Sequence, residues 1–129
     1  MKKIVILLVF TLSLFGSDLN WSHDYDESIE KAQEQNKSIY VLITSDGCGW
    51  CRKFENTTAL DKNILKKLNK DYILVHLSRD RHDIPASLKT NPVPIHHFLN
   101  NNEEVVYSTV GYMDAEDFSY QISKANNSF

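Results

Sequence analysis

The segment Cys48-Gly49-Trp50-Cys51 contains the only two cysteines of the chain, and it constrains the fold more than any other stretch. It follows an apolar, β-rich run, Ser38-Ile39-Tyr40-Val41-Leu42-Ile43-Thr44, and precedes a stretch with helical propensity, Arg52-Lys53-Phe54-Glu55-Asn56. A strand feeding a helix at this point puts the first sulfur at a helix N-terminus. Unpaired backbone N–H groups and the helix dipole there favour a thiolate. The second sulfur lies one turn on, within reach of a mixed disulfide formed on the first. Cys48 is therefore the expected attacking sulfur and Cys51 the resolving one.

Two other chemistries use the same residues. A structural disulfide would close a loop of only four residues, for which loop entropy gives about 2 kcal/mol, a weak staple. Cys48 and Cys51 could also supply two thiolates to zinc or copper, with a histidine completing the set, as in a metallochaperone. No M-x-x-x-M or H-x-x-x-H pattern accompanies them, and the residue after Cys51 is arginine, which excludes C-x-x-C-H haem attachment. Thiol exchange needs neither metal nor cofactor, and none is expected.

The first seventeen residues read as a secretory signal: Lys2 and Lys3, then Ile4 to Phe15 broken only by Thr11 and Ser13, then Gly16-Ser17. The apolar run is short of the ~20 residues a membrane span needs, and no cysteine follows it to accept a lipid. The expectation is a periplasmic protein, soluble once exported, its single domain covering residues 18–129. That segment carries twelve Lys and Arg against seventeen Asp and Glu. Such acidity, without a basic cluster, argues against a nucleic-acid partner. The length suits one domain, leaves no room for a dimerisation module, and predicts a monomer.

Along the chain, Asp24 to Asn36 reads as a helix capped by Asp24 or Asp26, with Trp21 before it packing back onto the domain. Ser38–Thr44 and Tyr72–Ser78 are nearly continuous apolar strands, as expected where both faces are covered. Further helices are expected after Cys48 as far as Asn56-Thr57, over Asp61 to Lys70, and briefly over Ile84 to Thr90. Val93 to Leu99 and Glu104 to Thr109 form a hairpin around Asn100-Asn101-Asn102. Gly111 ends it, Asp114 can cap, and Ala115 to Lys124 is the last helix. This order predicts an α/β fold with a four-stranded mixed sheet and helices on both faces.

C-x-x-C after the first central strand, Asn91-Pro92-Val93-Pro94-Ile95 opening the third, and Gly111 after the hairpin together resemble the thioredoxin superfamily. Within it the chain looks most like small exported domains such as the soluble reducing domain of transmembrane thiol–disulfide reductases. The resemblance covers roughly Trp21 to Lys124. It implies a thioredoxin-like thiol–disulfide oxidoreductase acting on protein clients that carry disulfides or dithiols, with a membrane thiol reductase as redox partner. Reduction is the expected direction, with oxidase or isomerase activity as the alternative.

The resemblance also implies a cis Pro94 beside the cysteines and a Val93 backbone that pairs with an extended client. Proline cannot donate a ladder hydrogen bond, so the start of a strand suits it independently. Trp50 presents an apolar face beside Cys48 for the client. Arg52 and Lys53 either add positive potential near the thiolate or are simply solvated. Three positions depart from the family pattern. The usual buried carboxylate before the first cysteine falls at Leu42, and a lysine on the next strand falls near His76, a candidate proton relay or a half-buried strand histidine. Ile95 replaces the threonine often found after the proline. His96 and His97, adjacent in a strand, must point to opposite faces and cannot easily share one metal.

Overall fold

The computed structural model describes residues 21–129; the signal-sequence expectation lies outside them. Strand β2 (Ser38–Thr44) is the centre of the domain, and all its residues after Ser38 are buried. It pairs in parallel with β3 (Tyr72–Ser78), and antiparallel with β4 (Ile95–Leu99), which continues into β5 (Val105–Val110). The near-continuous apolar character of β2 and β3 has the expected cause, because helices cover both faces.

The sheet has five strands rather than the four expected, in the order β1-β3-β2-β4-β5. The additional strand β1 (Trp21–Ser22) pairs in parallel with β3, with Trp21 opposite Leu74. Two residues carry no readable alternation, so only tertiary pairing makes this segment a strand. Trp21 does pack back onto the domain, its ring edge-on to Tyr40 at 5.7 Å.

Helix α1 (Tyr25–Gln35) is capped by Asp24, which accepts the Glu27 N–H, and ends at Asn36 in the left-handed conformation. Helix α2 (Gly49–Asn56) follows β2 through Ser45-Asp46-Gly47. Helix α3 (Lys62–Asp71) is capped by Asp61, and α4 (Ala115–Asn126) by Asp114. The expected helix over Ile84 to Thr90 reduces to a single 3-10 turn, Ala86–Leu88, which starts after Pro85 and ends at Lys89 in extended backbone; Pro92 disfavours a helical conformation just beyond it. The third strand begins at Ile95 rather than Val93, since residues 91–94 are taken up by the bend through the cis Val93-Pro94 bond.

Two cores result, one on each side of the sheet. Under α2, α3 and α4 lies an aromatic set including Tyr40, Phe54, Tyr72, Phe98 and Phe118. Under α1 lies an aliphatic set including Ile29, Ile39, Val41, Val75 and Leu99. Each fully buried side chain of this kind contributes about 1.5–3 kcal/mol. Phe54 anchors α2 to the sheet, its ring 5.2 Å from Phe118 and edge-on. Among the described residues no helix is long and apolar enough to cross a membrane.

Candidate functional site

Helix α2 starts directly at the cysteine pair. Cys48 is its N-cap, with extended backbone, and its sulfur accepts the Cys51 N–H at 3.1 Å. The two cysteines form a disulfide. Cys51 is fully buried while Cys48 is partly exposed, which leaves Cys48 as the sulfur a second molecule can reach. The approach to Cys48 is tied to the turn after β3. The Asp46 N–H donates to Asp80 Oδ2 at 2.6 Å, and Asp46 Oδ1 accepts from Ser78 Oγ and Arg81 Nε, both at 3.0 Å.

The Val93 carbonyl oxygen stands 3.9 Å from Cys48 Sγ, just before the cis bond to Pro94. Beside it opens a cleft of about 320 Å³ lined by Trp50, Val93, Pro94, Gly111 and Tyr112. Trp50 is 61 % exposed, and its ring lies 5.7 Å from that of Tyr112. Gly111 has φ 103, a conformation that favours glycine, and its N–H donates to the Pro94 carbonyl at 2.8 Å. The structure therefore gathers Cys48, Cys51, Trp50, Val93 and Pro94 in one place. Tyr112 is a wall residue that sequence reasoning missed, because its approach to Trp50 depends on the turn at Gly111.

His76 stands apart from the cleft, on the other flank of α2. In the sheet it is paired with Leu42, and Leu42 is paired on its other side with His96. Helix α2 straddles this row. The Phe54 ring meets His96 at 4.8 Å, and Glu55 Oε1 lies 3.2 Å from His76 Nε2. Phe54 and Glu55 are three and four residues after Cys51, so all three share a helical face. Arg52 holds the other Glu55 oxygen at 2.8 Å, and Thr44 Oγ1 is 2.9 Å from His76 Nε2. Glu55 is a second residue missed in the sequence; its i, i+4 spacing from Cys51 is a signal, though one shared with any solvated helix face.

Burial pushes the His76 pKa down to about 4, and His23, His82, Arg52 and Arg81 push the same way. His96 is also held at about 4, chiefly by burial. It is fully satisfied as a neutral ring: Nε2 donates to the Gly111 carbonyl at 2.9 Å, and Nδ1 accepts from the Tyr40 hydroxyl at 2.6 Å. His97 faces the opposite side of the sheet, bonded to Ser108 Oγ at 2.7 Å. Among the described residues no three His, Cys, Asp or Glu side chains converge as a metal-ligand set.

A thioredoxin-like family model matches residues 20–101, and this chain belongs to that family. An uncharacterised protein of Archaeoglobus fulgidus is 26% identical over 92 residues, 70% of this chain and 72% of that protein. The thiol:disulfide interchange protein DsbD of Colwellia psychrerythraea is 27% identical over 104 residues, 75% of this chain but 17% of DsbD. Among solved structures, a thioredoxin from Thermus thermophilus superposes with a TM-score of 0.72 at 19% identity, covering 84% of this chain and 88% of that one. The periplasmic thioredoxin SoxS from Paracoccus pantotrophus gives 0.58 at 13% identity, covering 71% and 98%. The chain is thus a thioredoxin-fold protein whose cysteine pair forms a disulfide, an arrangement consistent with a thiol–disulfide oxidoreductase.

Proposed function

We propose that this protein is an exported, monomeric thiol–disulfide oxidoreductase that reduces disulfides of envelope proteins. The observation that carries the reading is the Cys48–Cys51 disulfide at the start of α2, with one sulfur accessible and an apolar cleft beside it. Export rests on the signal-like segment 1–17 and is supported by the likeness to a periplasmic thioredoxin.

In the reducing cycle the Cys48 thiolate attacks a client disulfide. A Cys48–client bond forms and one client thiolate leaves, taking a proton. Cys51 then loses its proton and attacks Cys48 Sγ, closing the Cys48–Cys51 bond and releasing the second client thiolate. Two electrons pass to the client, and a dithiol of a membrane reductase restores the pair. Val93 pairs with the extended client, while Trp50 and Pro94 wall the groove. His76, in contact with Glu55 and bordering a cavity, relays to solvent the proton Cys51 gives up. The 3.2 Å approach of these two groups, on the face of α2 that carries Cys51, supports that role.

Two measurements test the reading. Cys51→Ala accumulates mixed disulfides with envelope proteins in the cell, whereas Cys48→Ser traps none. Equilibration of the pair against glutathione gives a potential near about −250 mV or below for a reductase. A value near about −120 mV assigns an oxidase instead.

A further inference from the structure

The wall of the client cleft carries one feature that disulfide exchange does not require. Lys53 lies over both aromatic rings that flank the cleft, its Nζ 4.6 Å from the Tyr112 centroid and 5.2 Å from the Trp50 centroid. Among the described residues the salt bridges are Arg52–Glu55, His76–Glu55 and Arg81–Asp46, and none involves Lys53. An exposed lysine normally gives up considerable rotamer entropy when it is fixed in place. Here two ring faces hold the ammonium by cation–π attraction before any partner arrives. The result is a preorganised cation without an acidic partner, at the rim of an otherwise apolar groove.

We propose that Lys53 is a specificity-determining residue that selects client segments with an acidic side chain close to their reactive cysteine. The inference rests on the exchange activity proposed above. Lys53 is five residues after Cys48, about 7.5 Å along the axis of α2. That distance corresponds to two or three residues of an extended client strand at about 3.3 Å each. A client whose sulfur reaches Cys48 would therefore bring a carboxylate at the second or third position to the Lys53 ammonium.

The test uses two peptide disulfides of identical sequence, one with Asp and one with Lys at the third position from the cysteine. The full-length exported protein reduces both, and the ratio of their kcat/KM values is the readout. A surface charge contact predicts about a fivefold preference for the Asp peptide at low ionic strength. The preference narrows in 0.5 M salt, where the screening length is only a few ångströms, roughly 4 Å. Lys53→Gln removes it and Lys53→Glu reverses it. Because each variant is compared with itself on two peptides, any effect of residue 53 on the reactivity of Cys48 cancels. A wild-type ratio near one, unchanged in Lys53→Glu, overturns the inference while leaving the exchange reading intact. Failure of the wild type to reduce either peptide overturns the exchange reading itself.

Discussion

His76 and His96 flank Leu42 in one row across the sheet, the two ends of the stretch that lies beneath α2. Burial is the leading cause of a pKa near 4 for both, yet their surroundings differ. His96 is sealed among Tyr40, Phe54 and Phe118, and both its ring nitrogens are committed to protein partners. His76 borders a cavity of about 210 Å³ shared with His23 and Glu55, and its side chain is 16 % exposed. A depressed pKa alone therefore does not distinguish a structural histidine from one able to exchange protons. Access and spare hydrogen-bonding capacity do.

Acid acts on both ends alike, and summed over the two it gives the largest effect. Both pKa values are lowered from 6.5 to about 4 in the folded protein, so it is the neutral rings that favour folding. That stabilisation is complete above pH 6.5 and is lost as pH falls through about 4. A shift of this size amounts to about 3 kcal/mol for each ring. Urea unfolding at pH 7, 5.5 and 4 checks the slope. His76→Gln reduces the acid loss by about 3 kcal/mol, and an unchanged slope in that variant would contradict the burial of His76.

Truncation is the next largest effect, and it is asymmetric. His96→Ala leaves the Tyr40 hydroxyl and the Gly111 carbonyl without their partner and opens a cavity in the aromatic core. The expected cost is about 4 kcal/mol. His76→Ala faces solvent on one side and leaves Thr44 and Glu55 able to hydrate, so it costs about 1 kcal/mol. Equal losses at pH 7 would remove the distinction between the two ends.

Little of this row could be read from the sequence. The redox pair was legible because Cys48 and Cys51 are a local motif between a recognisable strand and helix. Most elements were legible because β2, β3 and the capped helices have clear apolar patterning. Strand β1 was not, since Trp21-Ser22 is too short to show a period and exists through its pairing with β3. The pairing of Leu42 with both histidines depends on register between distant segments, which local patterning does not encode. Glu55 and Tyr112 escaped for a related reason. Each is an ordinary residue in its own segment and gains a role only from what folding brings against it.

The smallest effect of the three bears most directly on chemistry. If the open end of the row serves Cys51, Glu55→Gln and His76→Gln should slow the second step, in which Cys51 attacks the mixed disulfide. The first step, attack by Cys48 on a client, should be unaffected. Rapid-quench measurement of the mixed disulfide separates the two. Below neutral pH the second step should be at least about tenfold slower in either variant, a conservative bound against the roughly hundredfold or more that a positioned proton acceptor supplies. Above the ordinary thiol pKa of about 8.5 the variants should converge on the wild type, because solvent hydroxide then removes the proton. A change at the sealed end, such as Tyr40→Phe, which keeps the ring and removes only the hydroxyl bonded to His96, should leave this profile unchanged. A uniform slowing at all pH values would instead mean that Glu55 and His76 merely brace α2, and the two ends of the row would then differ in packing alone.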